Sequence, residues 1–175
     1  MSKPIVGIVM GSDSDLAVMK GAAEILEEFG VTYEVVIASA HRAPNKAHKF
    51  ATTAEEKGIR VLIAGAGMAA HLPGVIAAAT PLPVIGVPMY SAALDGLDAL
   101  YSIVQMPPGI PVATVGINNA QNAGILAIQM LSIHYPELGQ KLKAYKQQLA
   151  AEVEGKDAKL QQLGIGGYLA QQEKK

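Results

Sequence analysis

The chain has 175 residues, a formal net charge of −1, 17% charged residues and no cysteine. A chain of this length buries about two-thirds of its unfolded surface in one domain, and the lack of thiols excludes a disulfide framework, thiolate metal ligation and a cysteine nucleophile. With no basic cluster before the C-terminal helix, the electrostatic term that drives nucleic-acid binding is missing, so no nucleic-acid partner is expected.

In chain order, the first apolar run is Ile5–Met10. It is too short for a signal segment or a membrane span, which predicts a cytoplasmic chain with no membrane partner. Further β-rich apolar runs follow at Val31–Ala38, Ile59–Ala64, Leu82–Val87 and Ile110–Val115. They are continuously apolar rather than alternating, as in strands covered on both faces, and the segments between them read as helices. Strand and helix in alternation predict right-handed crossovers and a parallel sheet. The expected fold is α/β, a three-layer α/β/α sandwich with a flavodoxin-like (Rossmann-like) sheet and a C-terminal helical extension.

Ser12 and Asp15 have the spacing of a capping box, Gly30 and Gly58 are placed to stop the first two helices, and Pro44 suits a first helical turn. From Pro136 a charged helix with Leu138, Leu142, Tyr145 and Leu149 on one stripe is expected to run to about Gly155, ahead of a short segment and a Gly-rich tail, and to serve packing. No repeat or linker divides the chain, so residues 1–175 read as one catalytic domain. Between Arg60 and Glu137 the only charged residues are Asp95 and Asp98. A monomer covers so long an uncharged stretch with difficulty, which predicts a homo-oligomer.

Ligands of open parallel sheets bind beyond the carboxyl ends of the strands, so the segments that follow strands are where chemistry is expected. After the first strand, Gly11-Ser12-Asp13-Ser14-Asp15 opens a helix with a glycine and hydroxyls, and its free N–H groups suit a phosphate. Asp15 would repel a phosphate; it either caps the helix or accepts from sugar hydroxyls. After the second strand, Ser39-Ala40-His41-Arg42-Ala43-Pro44 sets a proton carrier beside a fixed cation that can grip a phosphate bidentately. Such a pair has both a structural and a catalytic reading.

After the third strand, the glycines of Ala64-Gly65-Ala66-Gly67-Met68-Ala69-Ala70-His71 let backbone approach a ligand closely. His71, at the next helix start, is either a core histidine satisfied by carbonyls or a group that orients a neighbour. Gly65–Ala70 also fits the dinucleotide fingerprint, yet the acidic residue wanted about 20 positions on is absent. The loop Pro88–Leu94, small and hydroxylated, either lines a pocket or simply connects elements, and receives no independent role. His48 and His134 lie within predicted helices and no pattern has metal-ligand spacing, so no metal is expected. Gly-x-Ser-x-Gly is absent, which leaves acyl-enzyme hydrolysis unsupported.

Met10-Gly11-Ser12-x-Ser14-Asp15, Ser39-Ala40-His41-Arg42-x-Pro44, Ala64 to Gly74 with its Ala-His-Leu-Pro-Gly end, and Ser102-Ile103-Val104-Gln105-Met106-Pro107 together resemble the PurE family. The likeness spans residues 5 to 150, and the His-Arg loop looks like the mutase class rather than the class that carboxylates with carbon dioxide directly. The resemblance implies conversion of N5-carboxyaminoimidazole ribonucleotide to 4-carboxy-5-aminoimidazole ribonucleotide, with no metal or organic cofactor, by a homo-octamer. It places His41 as the acid/base, Ser12 and Arg42 near the phosphate, Asp15 near the ribose, and Ser39, Gly67 and His71 among the substrate-binding positions. It implies an enclosed pocket that retains carbon dioxide. Two features depart from the family: Met68 stands where glycine is expected, and the loop Gly116–Asn122 is short. A redox or noncatalytic nucleotide-binding module is the more distant alternative.

Overall fold

The computed structural model describes residues 3–172. Its five strands, β1 (Val6–Met10), β2 (Tyr33–Ile37), β3 (Val61–Ala66), β4 (Val84–Pro88) and β5 (Ala113–Thr114), form one parallel sheet in the order β2-β1-β3-β4-β5. This is the flavodoxin-like order, in which chain direction across the sheet reverses between β1 and β3.

Alternation along each strand feeds two cores. Ile8, Met10, Ile63 and Ile85 face α1 (Leu16–Phe29), α6 (Ala120–Ser132) and the start of α7 (Pro136–Gln172). Val9, Leu62, Ala64 and Val84 face α2 (Pro44–Thr52), α4 (Leu72–Ala78) and α5 (Leu97–Val104). Strands β1, β3 and β4 are buried along their whole length, which explains their unbroken apolar runs. Gly30 and Gly58 take left-handed conformations that end α1 and the short α3 (Ala54–Lys57), and Pro44 occupies the first turn of α2.

Several expectations are corrected. As the outermost strand, β2 leaves Val35 and Ile37 each 42% exposed, so its apolar run does not mean cover on both faces. The fifth strand pairs through two residues only. No capping box forms: Ser12 Oγ accepts from Ser14 N at 3.3 Å within a 3₁₀ turn, and Asp15 makes no side-chain cap bond to α1. The last helix continues past Gly155 to Gln172, interrupted only by a left-handed Gly164 (φ 66°). One glycine costs a helix only about 1 kcal/mol, too little to stop a run rich in Lys, Gln, Glu and Ala.

Of the α7 stripe, Leu138 and Leu142 are buried, Tyr145 meets Phe29 edge-on at 5.6 Å, and Lys141 Nζ donates to Phe29 O at 2.6 Å. Leu149 and Val153 are exposed, so the helix leaves the body after Tyr145. No described helix is long and apolar enough to cross a membrane.

Candidate active site

The loops after β1, β2, β3 and β4 meet at one edge of the sheet around an open cleft of about 440 Å³. It sits over the β1–β3 reversal, where Gly11 N donates to Gly65 O at 3.3 Å and ties the first and third loops together. All seven predicted site residues line it: Ser12, Asp15, Ser39, His41, Arg42, Gly67 and His71.

His41 and His71, 30 positions apart in sequence, are in contact: Nε2 of His41 lies 2.6 Å from Nδ1 of His71, with the rings edge to face at 88°. One ring must donate and the other accept, so the pair shares a single proton between facing nitrogens. The remaining nitrogens, His41 Nδ1 and His71 Nε2, have no protein partner among the described residues. His71 is therefore not a core histidine satisfied by carbonyls. It is exposed at the start of α4, with the His41 ring as its partner. His41 is also exposed, so the enclosure that the resemblance implies is not supplied by one chain alone.

The His-Arg loop is held by its own hydrogen bonds. Ser39 Oγ accepts from Arg42 N at 3.2 Å, and Ala43 N donates to Ser39 O at 2.9 Å. Across the cleft, Arg42 Nη2 donates to Gly11 O at 3.2 Å, bringing the guanidinium to the loop that opens α1. The ion pairs of the described residues are Lys20–Glu24 and Lys57–Glu34, so Arg42 has no carboxylate to neutralise it. Among the described residues it is also the only Lys or Arg lining the cleft. Fixed positive charge thus stands beside the loop that opens α1, which suits an anion, while Ser14 N, Asp15 N and Leu16 N already have partners within the turn.

Asp15 is half-buried on the same loop, and its carboxyl lies above the ordinary value of 3.8. Desolvation is the main cause; hydrogen bonds from Ser14 and the Ser12 backbone oppose it, and nearby Asp13 adds to the rise. A raised value means that the folded state holds the proton more tightly than the unfolded state. The stability linked to Asp15 is therefore fullest below 3.8 and is lost as pH rises through the elevated value. Asp15→Asn is expected to raise the thermal midpoint at pH 7 while weakening ribonucleotide binding, which differential scanning fluorimetry and KM measure together. A lower midpoint would refute the desolvation account.

Met68 is left-handed (φ 54°) and 63% exposed. A glycine would meet that backbone demand without strain, and the methionine side chain stands on the rim of the cleft. The fourth wall is Met89, Tyr90 and Ser91, so of the two readings of the loop after β4, pocket lining or plain connection, the first holds. No cluster of three or more His, Asp or Glu side chains able to hold a metal occurs among the described residues.

With this geometry the relationship to known proteins is specific. The AIR carboxylase family profile matches residues 5–152. The chain belongs to the AIR carboxylase family. Among AIR carboxylase relatives, the N5-carboxyaminoimidazole ribonucleotide mutase of Thermotoga maritima is 61% identical over 97% of this chain and 99% of its own. A phosphoribosylaminoimidazole carboxylase of Candida glabrata is 56% identical over 95% of this chain, which spans only 29% of that protein. The crystal structure of Treponema denticola PurE superposes with a TM-score of 0.82 at 30% identity, covering 90% of this chain and 98% of that one.

Proposed function

We propose that this chain is an N5-carboxyaminoimidazole ribonucleotide mutase of purine biosynthesis, converting the carbamate to 4-carboxy-5-aminoimidazole ribonucleotide. The observation that carries the reading is a contacting histidine pair beside an unpaired arginine, in a chain whose end-to-end relative from Thermotoga maritima bears that name. The relative named a carboxylase is matched over less than a third of its length, so the direct carboxylase reading is not favoured.

In the proposed course, the His41–His71 pair delivers its proton to the carbamate nitrogen. The C–N bond breaks, releasing carbon dioxide and leaving an electron-rich ring carbon. That carbon attacks carbon dioxide, and the proton it sheds returns to His41, so the histidine ends as it began. An imidazole suits both transfers because its ordinary pKa lies near neutrality. His71 acts as the group that orients His41. Arg42 and Ser12 hold the 5′-phosphate, Asp15 the ribose hydroxyls, while Ser39 shapes the His-Arg turn and Gly67 lets the ring approach backbone. The protein's part in this carboxyl transfer is to move one proton and hold the ligand, and it calls for neither a metal nor an organic cofactor.

The working protein is proposed as a cytoplasmic homo-oligomer, an octamer by resemblance, in which residues 1–175 act as a single domain. The exposure of the two histidines and Tyr90 in the cleft, and of Leu94, Leu97 and Tyr101 in the segment that follows β4, supports a neighbouring copy on this part of the chain. Its partner is a small ribonucleotide, with no role for nucleic acid or membrane. The test supplies purified protein with the carbamate ribonucleotide and follows ring carboxylation. Conversion without added carbon dioxide is expected. Conversion only of aminoimidazole ribonucleotide with added carbon dioxide would overturn the assignment.

A further inference from the structure

We propose that Asn118 is a positioning residue: from the loop after β5 it clasps the Met89–Ser91 wall and, through Met89, sets the placement of the His41–His71 pair. Its bearing on catalysis rests on the reading above, whereas the geometry does not.

The clasp consists of two hydrogen bonds that bracket Met89. Asn118 Oδ1 accepts from Tyr90 N at 2.8 Å, and Asn118 N donates to Pro88 O at 2.9 Å. To make both, Asn118 takes a left-handed backbone (φ 57°), which asparagine tolerates better than most residues. The loop is held on its other side by Asn119, whose Oδ1 accepts from Asn122 N at 3.1 Å and caps α6. Ser91 Oγ, at the far end of the wall, is buried without a partner and adds no bond of its own.

Met89 transmits the position of the clasp without slack. Its N donates to Ala66 O at 2.9 Å, and its side chain is buried against the end of β3. A Cβ at Gly65 would come within 2.5 Å of Met89 Cε, and one at Gly67 within 3.2 Å of Met89 Cβ. On the opposite side, a Cβ at Gly96 would meet Ile117 Cγ2 at 2.8 Å and Tyr90 Cα at 3.2 Å. Three segments are thus interlocked around Met89. Directly after Gly67 come Met68 and Ala70, both left-handed, with Ala70 N donating to Gly67 O at 3.0 Å, and then His71. If Met89 shifts, the turn that carries His71 must shift with it, and His71 is the partner of His41.

The test compares Asn118→Ala, Asn118→Gly and Asn118→Asp with the parent. Alanine loses the acceptor and strains the backbone; glycine relieves the strain but still lacks the acceptor; aspartate keeps both features. The expected result is a fall in kcat of about 10- to 100-fold for the alanine and glycine variants with KM within about threefold, and recovery of most of the activity in the aspartate variant.

A readout independent of turnover is the imidazole NMR resonances, which are few because the chain has four histidines. Those of His41 and His71 should move in the glycine variant while those of His48 and His134 stay put. Parent-like kcat or unmoved His41 and His71 resonances in the glycine variant would overturn the proposal. Should the alanine variant not fold, the glycine variant carries the same test. If the parent itself does not turn over the carbamate, the functional reading fails, and the resonances alone decide the role of Asn118.

Discussion

Replacement of His41 by Asn is expected to lower turnover of the carbamate ribonucleotide by about 10³-fold or more, while substrate affinity stays within about threefold of the parent. Both proton transfers of the proposed course pass through this ring, so the loss falls on two steps. Asparagine leaves the Arg42–Gly11 bond untouched but is too short to reach His71 Nδ1, which His41 meets through Nε2; what it removes is the proton carrier. Single-turnover kinetics with direct binding by calorimetry would separate the two effects. Turnover within about tenfold of the parent would reject His41 as the acid/base, because a displaced water or His71 would then be carrying the proton.

Arg42→Ala should show the opposite partition, with KM rising by about 10- to 100-fold, since a hydrogen-bonded charge contact contributes about 1.5 to 3 kcal/mol. Among the described residues the cleft has no other Lys or Arg to take over, and no carboxylate pairs with the guanidinium. The variant also loses the bond to Gly11 O, so the binding isotherm should be read beside the thermal midpoint. Increasing salt should weaken parent binding and affect the variant less. Unchanged substrate affinity would remove Arg42 from the phosphate site.

Much of this was legible before the fold was known. Continuous apolar runs identified the strands because the central ones are buried on both faces, and the same reasoning failed for β2, whose place at the sheet edge depends on the order of pairing and not on its own residues. The rule that ligands bind beyond strand ends located the three loops with chemical signatures. It also reached the loop with Met89, Tyr90 and Ser91 but could assign it no role, because residues that pack and close carry no chemical signature. Nor does any local pattern reveal that His41 and His71 touch, or that Asn118 reaches back 28 positions to Tyr90. Those contacts are set by the β1–β3–β4 adjacency, a tertiary fact. The capping box was misread for the converse reason: the spacing was right, but a 3₁₀ turn took the Ser12 hydroxyl for Ser14 instead.

The bond from Arg42 to Gly11 O has an entropic consequence. A free arginine samples many rotamers and gives up about 2 kcal/mol of that freedom when immobilised by a ligand. Here the guanidinium already bridges two loops at 3.2 Å, so most of that ordering is complete before a nucleotide arrives. The remaining N–H groups of the planar fork point in fixed directions, and in the proposed phosphate role an incoming anion has to match them rather than gather them. Recognition at this corner of the cleft is thereby a matter of shape, with the energy of the charge contact kept for binding.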